Sequence, residues 1–375
     1  MPRSSKLLVL DMTLTLPRWF DLHVHLRQGE ALPAYVSAHL EMACAGVLAM
    51  PNTKPPVTRV SGSNSDVAWT IENYLEDLKV AGGSAFDDMI VPLYLTPETT
   101  PRMIEEGAAS GLLRTCKFYP PHETTNSEFG APMDSFLGSD VFRAMEQCDI
   151  VLNIHGEKHA LAGPDYIDQH RNAESIFYRE TMPRLLEAHP GLRIVCEHLT
   201  TKDAVEFVQE APDGVAATIT PQHLLYTMGD LIQGLKYHLY CLPIVKFEAD
   251  RGSLRAAIVD TDQHKFFAGT DSAPHTMKAT EVGCAAGCFT GGCAPQLYAM
   301  AFEEAGADLA TEKSVRAFRS FLCENGPRYY GIPLSGEQFT LTKSPSAVSK
   351  LQTPDGPVTP LPLGLNLELS WSLDG

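Results

Sequence analysis

Two histidines that alternate at the end of an apolar run are the first residues with recognisable chemistry. The segment FDLHVH (20–25) predicts a buried strand. The period of two along a strand places His23 and His25 on the same face, so both imidazoles can reach one cation. On its own, an H-x-H pair is as compatible with two structural histidines as with a metal site.

Three further possible ligands follow other apolar runs. His155, His198 and Asp271 each lie at the carboxyl end of a different predicted strand. Imidazole and carboxylate bind borderline divalent cations, of which zinc is the commonest. Four histidines and one aspartate exceed the three protein ligands of a typical catalytic zinc, so the set predicts two metal ions.

Strands and helices that alternate along the chain must position these residues. The predicted strands are 20–25, 46–52, 89–96, 112–120, 149–156, 192–199, 214–221 and 265–271. Most are apolar without polar alternation, which is typical of parallel strands buried on both faces. Amphipathic stretches such as 66–80 and 174–189 lie between them, and this order predicts βαβ units.

Eight such strands close a (β/α)₈ barrel, and a doubly wound open sheet is the competing architecture. Six of the eight predicted strands carry a polar residue at the carboxyl end, among them Asn52 and Lys117. Barrel enzymes build their active sites at that end, so the pattern favours the barrel. We therefore predict an α/β TIM barrel with short terminal extensions. Residues 1–375 would form one domain, with a core at about 17–330 and a tail at about 331–375.

Composition excludes several classes of protein. The chain has 29 Lys+Arg against 46 Asp+Glu, a net charge of −17, which argues against binding to nucleic acid. No segment reaches the roughly 18 apolar residues of a membrane span, and residues 1–19 lack the apolar region of a signal peptide. Nine scattered cysteines, an odd number, favour reduced thiols and hence the cytoplasm.

Other possible sites have simpler explanations. Cys284, Cys288 and Cys293 lack the CxxC spacing and the fourth ligand of a structural zinc site. The glycines around them do not have the spacing of a phosphate-binding loop, so no nucleotide cofactor is expected. His223 and His238 are expected to make structural hydrogen bonds.

Eight blocks occur in order between about residue 17 and about residue 330. They are FDLHVHLR, MPNTKPPV, CKFYPPHETTNS, NIHGE, CEHLTTKDA, TITPQHL, LYCLPI and GTDSAPH. Together they resemble the dihydroorotases, specifically the short monofunctional type (class II), within the metal-dependent amidohydrolase superfamily. The resemblance implies a (β/α)₈ barrel, a small-molecule substrate, a homodimer and two zinc ions per chain.

The resemblance also implies a role for each matching residue. The implied zinc ligands are His23, His25 and Asp271 for the more buried ion, and His155 and His198 for the more exposed ion. Lys117 matches a lysine that CO₂ converts to a carbamate, which bridges both ions together with a hydroxide. An unmodified ammonium group would be repelled by the cations, and spacing alone does not predict this modification.

Substrate contacts are implied in the same way. The implied carboxylate ligands are Arg27, Asn52 and His275, with a further substrate contact from His155. Leu242 and Ala286 match backbone contacts to the pyrimidine ring, although the loop of Ala286 is one residue shorter than usual. Thr124 and Thr125 match a mobile loop that closes over the substrate. Gln28 stands where the family has an aspartate.

The implied reaction is the reversible interconversion of N-carbamoyl-L-aspartate and L-dihydroorotate plus water, in pyrimidine biosynthesis. Asp271 would carry the proton between the attacking water and the leaving nitrogen. Two alternatives remain open: a cyclic amidase of the hydantoinase, dihydropyrimidinase or allantoinase type, and an inactive homologue that serves as a scaffold. The carboxylate-binding residues argue against the first alternative, and the complete ligand set argues against the second.

Overall fold

The computed structural model describes residues 12–161 and 163–374. The prediction that no signal peptide is present rests mainly on residues 1–11, which lie outside the described residues, and stays a prediction. Within the described ranges, no helix is both long enough and apolar enough to cross a membrane.

The strands are short and most are buried. They are β1 (Thr13–Pro17), β2 (Trp19–Val24), β3 (Cys44–Ala49), β4 (Val57–Arg59), β5 (Trp69–Thr70), β6 (Asp88–Ile90), β7 (Leu93–Tyr94), β8 (Thr115–Phe118), β9 (Val151–Ile154), β10 (Ile194–Cys196), β11 (Val215–Ile219), β12 (Phe266–Ala268), β13 (Ala279–Thr280), β14 (Gly283–Cys284), β15 (Gln338–Thr342) and β16 (Ser372–Asp374). The predicted strand 89–96 is two strands here, with residues 91–92 between them.

The helices lie mainly between successive strands. They are α1 (Leu32–Glu41), α2 (Ile71–Val80), α3 (Pro101–Ala109), α4 (Asp140–Gln147), α5 (Pro164–Ile167), α6 (Ala173–Ile176), α7 (Met182–Ala188), α8 (Lys202–Glu210), α9 (Pro221–Leu225), α10 (Met228–Ile232), α11 (Glu248–Val259), α12 (Ala294–Glu304), α13 (Glu312–Arg319), α14 (Asn325–Tyr330) and α15 (Leu361–Leu365). π-Helical turns at Phe177–Thr181 and Ser320–Glu324 join α6 to α7 and α13 to α14.

Serine and threonine residues explain where several helices begin. Thr70, Thr100 and Thr201 accept a hydrogen bond from the third residue after them, at the start of α2, α3 and α8. Such a cap satisfies one of the backbone N–H groups that have no partner in the first helical turn. The helix predicted over 66–80 therefore starts only at Ile71, and the two residues before it form β5.

Parallel strands form the centre of the molecule, which confirms the prediction of an α/β fold built on parallel strands. One sheet has six strands in the order β12-β11-β10-β9-β8-β7, and a second has the order β2-β3-β6. The register aligns Cys196 of β10 with Ile154 of β9 and Ala217 of β11. Equivalent strand ends therefore lie at the same edge of the sheet.

The outer strands of the two sheets approach each other. Asp271, after β12, donates its backbone N–H to the carbonyl of His23 at 2.8 Å, and His25 donates to the carbonyl of Ser272 at 2.9 Å. A buried cluster of apolar side chains draws on seven strands of both sheets. Its strand members are Phe20, Leu22, Ala45, Leu48, Ile90, Val151, Val195, Ala216 and Phe267.

The two ends of the described chain meet in a separate antiparallel sheet. β15 pairs with β1, aligning Leu341 with Leu14, and β16 pairs with the other edge of β15. Trp371, just before β16, is fully buried and donates its indole N–H to Glu303 on α12 at 3.1 Å. The segment after residue 330 thus packs against the rest of the protein.

Candidate metal centre and substrate site

Two strand ends bring three predicted ligands together. His23 and His25 lie at the end of β2, and Asp271 follows β12. The Nε2 atoms of His23 and His25 lie 3.4 and 2.9 Å from Asp271 Oδ1. Ligand atoms of the three residues all lie within 4.8 Å of one another, and all three side chains are buried. Among the described residues, this is the group of His, Cys, Asp and Glu side chains with the geometry for holding a metal ion.

The other three predicted ligands surround this group. The His198 ring lies 4.9 Å from the His23 ring and 4.8 Å from the His155 ring, centroid to centroid. Lys117, on β8, is fully buried, and its Nζ has no hydrogen-bond partner among the described residues. The same is true of Nδ1 of His198. An unpaired polar atom is costly in a protein interior, so these atoms suit a centre that binds a further group.

Burial and neighbouring charges shift the pKa values of these side chains. Burial lowers the pKa of Lys117 to about 8, although Glu197 and Asp271 oppose the shift, and it lowers the pKa of His25 to about 4. Burial would raise the pKa of Asp271, but the adjacent His23 and His25 rings hold it well below its ordinary value. The site therefore combines a carboxylate with the neutral imidazole of His25, which is the form of histidine that binds metals. Burial would lower the pKa of His23, but the charge of Glu197 and a hydrogen bond to Asp271 raise it above its ordinary value.

Two buried glutamates that the sequence analysis missed orient the histidines. Glu197 Oε2 accepts a hydrogen bond from His23 Nδ1 at 2.7 Å, and Glu157 Oε2 accepts one from His155 Nε2 at 2.8 Å. Metal-binding histidines commonly donate their second N–H to a carboxylate, which fixes the ring and its tautomer. A sequence signal was present, because each glutamate lies within two residues of a predicted ligand in an apolar segment.

Glu197 connects four strands. Besides His23 of β2, Thr218 Oγ1 of β11 donates to its Oε2 at 2.6 Å, and Asn153 Nδ2 of β9 donates to its Oε1 at 2.5 Å. Burial would raise the pKa of Glu197, but His23 and Lys117 lower it below its ordinary value, so the group is ionised.

Three predicted site residues have left-handed backbone conformations. The φ angles are 62° for Arg27, 42° for His198 and 50° for Asp271. Side chains with a Cβ rarely adopt this region, and such strain concentrates at functional sites. Hydrogen bonds hold two of them: His198 donates its N–H to Thr218 Oγ1 at 2.7 Å, and Asp271 donates to the carbonyl of His23.

A small cavity opens beside the candidate ligands. Its lining residues are His25, Arg27, Asn52, Thr124, Thr125, Leu242, Asp271, Ala273, Ala286 and Gly287. Most of the residues predicted to contact substrate therefore share one cavity. Within residues 12–161 and 163–374 the guanidinium of Arg27 has no hydrogen-bond partner, so its donors are available in the cavity.

Asn52 links the metal ligands to the loop that carries the two threonines. Its Oδ1 accepts from His25 Nδ1 and its Nδ2 donates to the carbonyl of Thr125, both at 2.8 Å. Asn126 also donates to the backbone carbonyl of Asn52 at 2.8 Å. The loop thus lies over the cavity, and Asn52 keeps one amide N–H for the substrate contact predicted for it.

His275 bonds a loop carbonyl. Its Nε2 lies 2.7 Å from the carbonyl oxygen of Ala286, and burial lowers its pKa to about 3. A neutral ring that donates from Nε2 presents only an acceptor at Nδ1, so a carboxylate contact requires His275 to release Ala286. The role predicted for His275 stays a prediction.

The three cysteines and His223, which the sequence did not assign to the metal site, make separate structural contacts. The thiols of Cys284, Cys288 and Cys293 approach three different carbonyls, those of Tyr237, His238 and Thr290. All nine cysteines are free. His223 is bonded at both ring nitrogens, to Thr220 Oγ1 and to the carbonyl of Pro243, as expected of a structural histidine.

Comparison with known proteins finds close relatives over nearly the whole chain. It is 40% identical to a dihydroorotase of Halorhodospira halophila, over 96% of this chain and 99% of that protein. It is 38% identical to a dihydroorotase of Neisseria meningitidis, over 96% and 98%. No protein-family model matches the chain.

Solved structures give the same result. The dihydroorotase of Saccharomyces cerevisiae, in complex with 5-fluoroorotic acid, superposes with a TM-score of 0.82 at 27% identity, over 96% of this chain and 98% of that chain. The dihydroorotase of Campylobacter jejuni superposes with a TM-score of 0.81 at 25% identity, over 98% and 99%. The L-hydantoinase of Arthrobacter aurescens, at 15% identity and a TM-score of 0.72, shares the fold.

Proposed function

The chain belongs to the dihydroorotase family, and from this premise we propose that it interconverts N-carbamoyl-L-aspartate and L-dihydroorotate plus water, a step of pyrimidine biosynthesis. The observation that carries the proposal is the convergence of His23, His25 and Asp271 beside a cavity lined by Arg27. The hydantoinase alternative has support at the level of the fold alone. A scaffold without activity would have no need of the complete ligand set.

A closed (β/α)₈ barrel is the architecture that we propose for the parallel strands. The support is the pair of backbone hydrogen bonds between the segment after β12 and the end of β2, together with the apolar cluster fed by seven strands. We propose that the chain forms one domain, because β1 and β15 pair across most of its length. A homodimer is proposed from the family resemblance, and a cytoplasmic location from the scattered cysteines, all of which are free.

Two zinc ions per chain fit the side chains in this centre. His23, His25 and Asp271 would hold one ion, and His155 and His198 would hold the other. Nζ of Lys117 and Nδ1 of His198, which have no hydrogen-bond partner in the part of the chain that the structure describes, support this assignment, as do the glutamates that fix two of the imidazoles. When bound, the ions supply an activated water and a Lewis acid for the amide carbonyl.

Carboxylation of Lys117 is proposed as the link between the two ions. Its amine is fully buried and lacks a hydrogen-bond partner among the described residues, and the lowered pKa favours the neutral amine that reacts with CO₂. The amine nitrogen would bond to the carbon of CO₂ and release one proton. The resulting carbamate would be an anion with two oxygens able to act as metal ligands, in place of a repulsive ammonium.

Asp271 is proposed as the proton carrier, because its carboxylate is ionised and lies at the edge of both the ligand group and the cavity. In hydrolysis it takes a proton from the attacking water and gives it to the leaving ring nitrogen. Arg27 binds the substrate carboxylate, and the loop of Thr124 and Thr125 shields the cavity from water.

An assay of the purified protein with dihydroorotate, hydantoin and dihydrouracil, beside elemental analysis, tests the proposal. We expect hydrolysis of dihydroorotate well above that of the other two rings, and two zinc ions per chain. Full activity with one metal ion or none would refute the binuclear centre. Hydrolysis of dihydrouracil without hydrolysis of dihydroorotate would refute the substrate assignment.

A further inference from the structure

Lys278 is a buried lysine whose charged end is enclosed by backbone carbonyls. The residue is 7% exposed. Nζ donates to the carbonyl oxygens of Tyr240 and Ala285 at 2.6 Å and of Gly287 at 2.5 Å. An ammonium group has three donors, and three acceptors satisfy all of them.

These carbonyls belong to the two segments that carry the predicted backbone contacts to the ring. Tyr240 lies two residues before Leu242, and Ala285 and Gly287 flank Ala286. Both Leu242 and Ala286 line the cavity. Lys278 therefore joins the two cavity-lining segments through one charged group.

Additional contacts show that the peptide groups around Ala286 face alternate sides. Lys278 holds the carbonyls before and after it, whereas the Ala286 carbonyl faces His275 at 2.7 Å. Gly287 has a φ of +136°, and a Cβ there would lie 2.6 Å from the Ala273 Cβ. The backbone at Gly287 thus has a conformation that only glycine tolerates. Lys278 donates to the carbonyls of Ala285 and Gly287, on either side of Ala286.

We propose that Lys278 is a positioning residue that sets the substrate-recognising backbone of Leu242 and Ala286. This inference rests on the proposed function, since it takes the cavity to be the dihydroorotate site. Charge-assisted hydrogen bonds to three carbonyls are strong enough to hold two loops in one register. Without them, the direct links left between the two segments are weaker neutral ones, such as the bond from Gly287 N–H to the Tyr240 carbonyl at 3.0 Å, and the spacing of the backbone groups that recognise the ring would loosen.

Lys265 provides a matched control on the other side of the molecule. It is also 7% exposed, and its Nζ donates to three backbone carbonyls, those of Val208, Gln209 and Ala211. These carbonyls lie at the end of α8, and Lys265 precedes β12, at the end of that strand opposite Asp271. Replacing either lysine removes the same number and kind of contacts.

Lys278→Met and Lys265→Met are to be compared as zinc-loaded, full-length proteins. For Lys278→Met, we expect the KM for dihydroorotate and the dissociation constant for orotate to rise at least about tenfold, the scale of one lost hydrogen bond to a charged group. kcat should change less than KM, and zinc content should match the wild type. Lys265→Met should keep the wild-type KM and orotate affinity, even if it lowers the melting temperature.

Unchanged KM and orotate affinity in Lys278→Met would overturn the inference, as would equal increases in both variants. If Lys278→Met does not fold, Lys278→Arg decides, because a planar guanidinium cannot reproduce three tetrahedral donors. A raised KM in Lys278→Arg with normal zinc content supports the inference, and a wild-type KM overturns it. A wild-type protein that neither hydrolyses dihydroorotate nor binds orotate would instead refute the proposed function.

Discussion

The substitution Glu197→Gln tests how much the hydrogen bond that orients a candidate metal-binding histidine contributes to the affinity for the metal. Glu197 touches the candidate ligand His23 and is 1% exposed. Its two oxygens receive three donors, from His23, Thr218 and Asn153. A carboxylate only accepts hydrogen bonds, whereas the glutamine amide adds two donors of its own in the same volume.

In either orientation of the glutamine amide, its NH₂ group faces a side chain that also donates a hydrogen bond. With its NH₂ at the Oε1 position it faces Asn153 Nδ2, and at the Oε2 position it faces His23 and Thr218. One buried donor left without an acceptor costs about 1–3 kcal/mol. Loss of a carboxylate behind a metal-binding histidine weakens metal affinity about 10–100-fold, which is about 1.4–2.7 kcal/mol. The two estimates agree, so we expect a decrease of that size in affinity for one zinc ion.

Competition with a chromophoric chelator measures the two zinc affinities in the wild type and in Glu197→Gln. We expect one site to weaken and the other to keep its affinity within about threefold, with activity partly restored by excess zinc. Glu174→Gln is the matched control, because Glu174 is also 1% exposed but accepts its hydrogen bonds from Thr200, which is not a candidate ligand. Wild-type affinity at both sites in Glu197→Gln, or equal weakening in Glu174→Gln, would refute the reasoning.

Three further predictions follow from the site. Arg27→Met should lower kcat/KM for dihydroorotate by roughly 10- to 150-fold with unchanged zinc content; an equal loss on dihydrouracil in steady-state assays would place Arg27 with the metal ligands. Lys117→Ala should lose zinc and activity together, and added acetate or propionate should restore part of both; full zinc content by elemental analysis would contradict this. Burial raises the pKa of Glu174 to about 7 from 4.5, so its contribution to stability is present below pH 4.5 and is lost as the pH rises to 7. Relative to Glu174→Gln, the wild type should thus lose about 3 kcal/mol over that range in urea titrations, and parallel curves would exclude the shift.

Local sequence pattern was enough to predict the parallel strands and the residues at their ends. Apolar runs without alternation indicated burial on both faces. His155, His198 and Asp271 follow β9, β10 and β12 of the parallel sheet, as expected. The helix predicted from residue 66 begins only at Ile71, because Trp69 and Thr70 pair with β4. That pairing depends on a segment about ten residues away, and a helical pattern does not show it.

The glutamates behind the histidines were missed for a different reason. Glu197 and Glu157 lie beside predicted ligands in the sequence, but a glutamate next to a histidine is usually exposed. Only the fold shows that Glu197 is enclosed by β2, β9 and β11 and meets His23, which is 174 positions away. The number of donors around a buried carboxylate is a property of the tertiary structure.

The strained backbone at the strand ends shows why this site needs the completed fold. Histidine and aspartate adopt a left-handed conformation more often than most residues but far less often than glycine, so the sequence gives only a weak signal for it at His198 and Asp271. The bond that holds His198 comes from Thr218, on the next strand, and the bond that holds Asp271 comes from His23, nearly 250 positions earlier. Each strained residue is therefore fixed by a neighbour that arrives only when the parallel strands assemble. Because these same residues are candidate ligands, small shifts between strands will change the distances between the ligand atoms before they expose the apolar core.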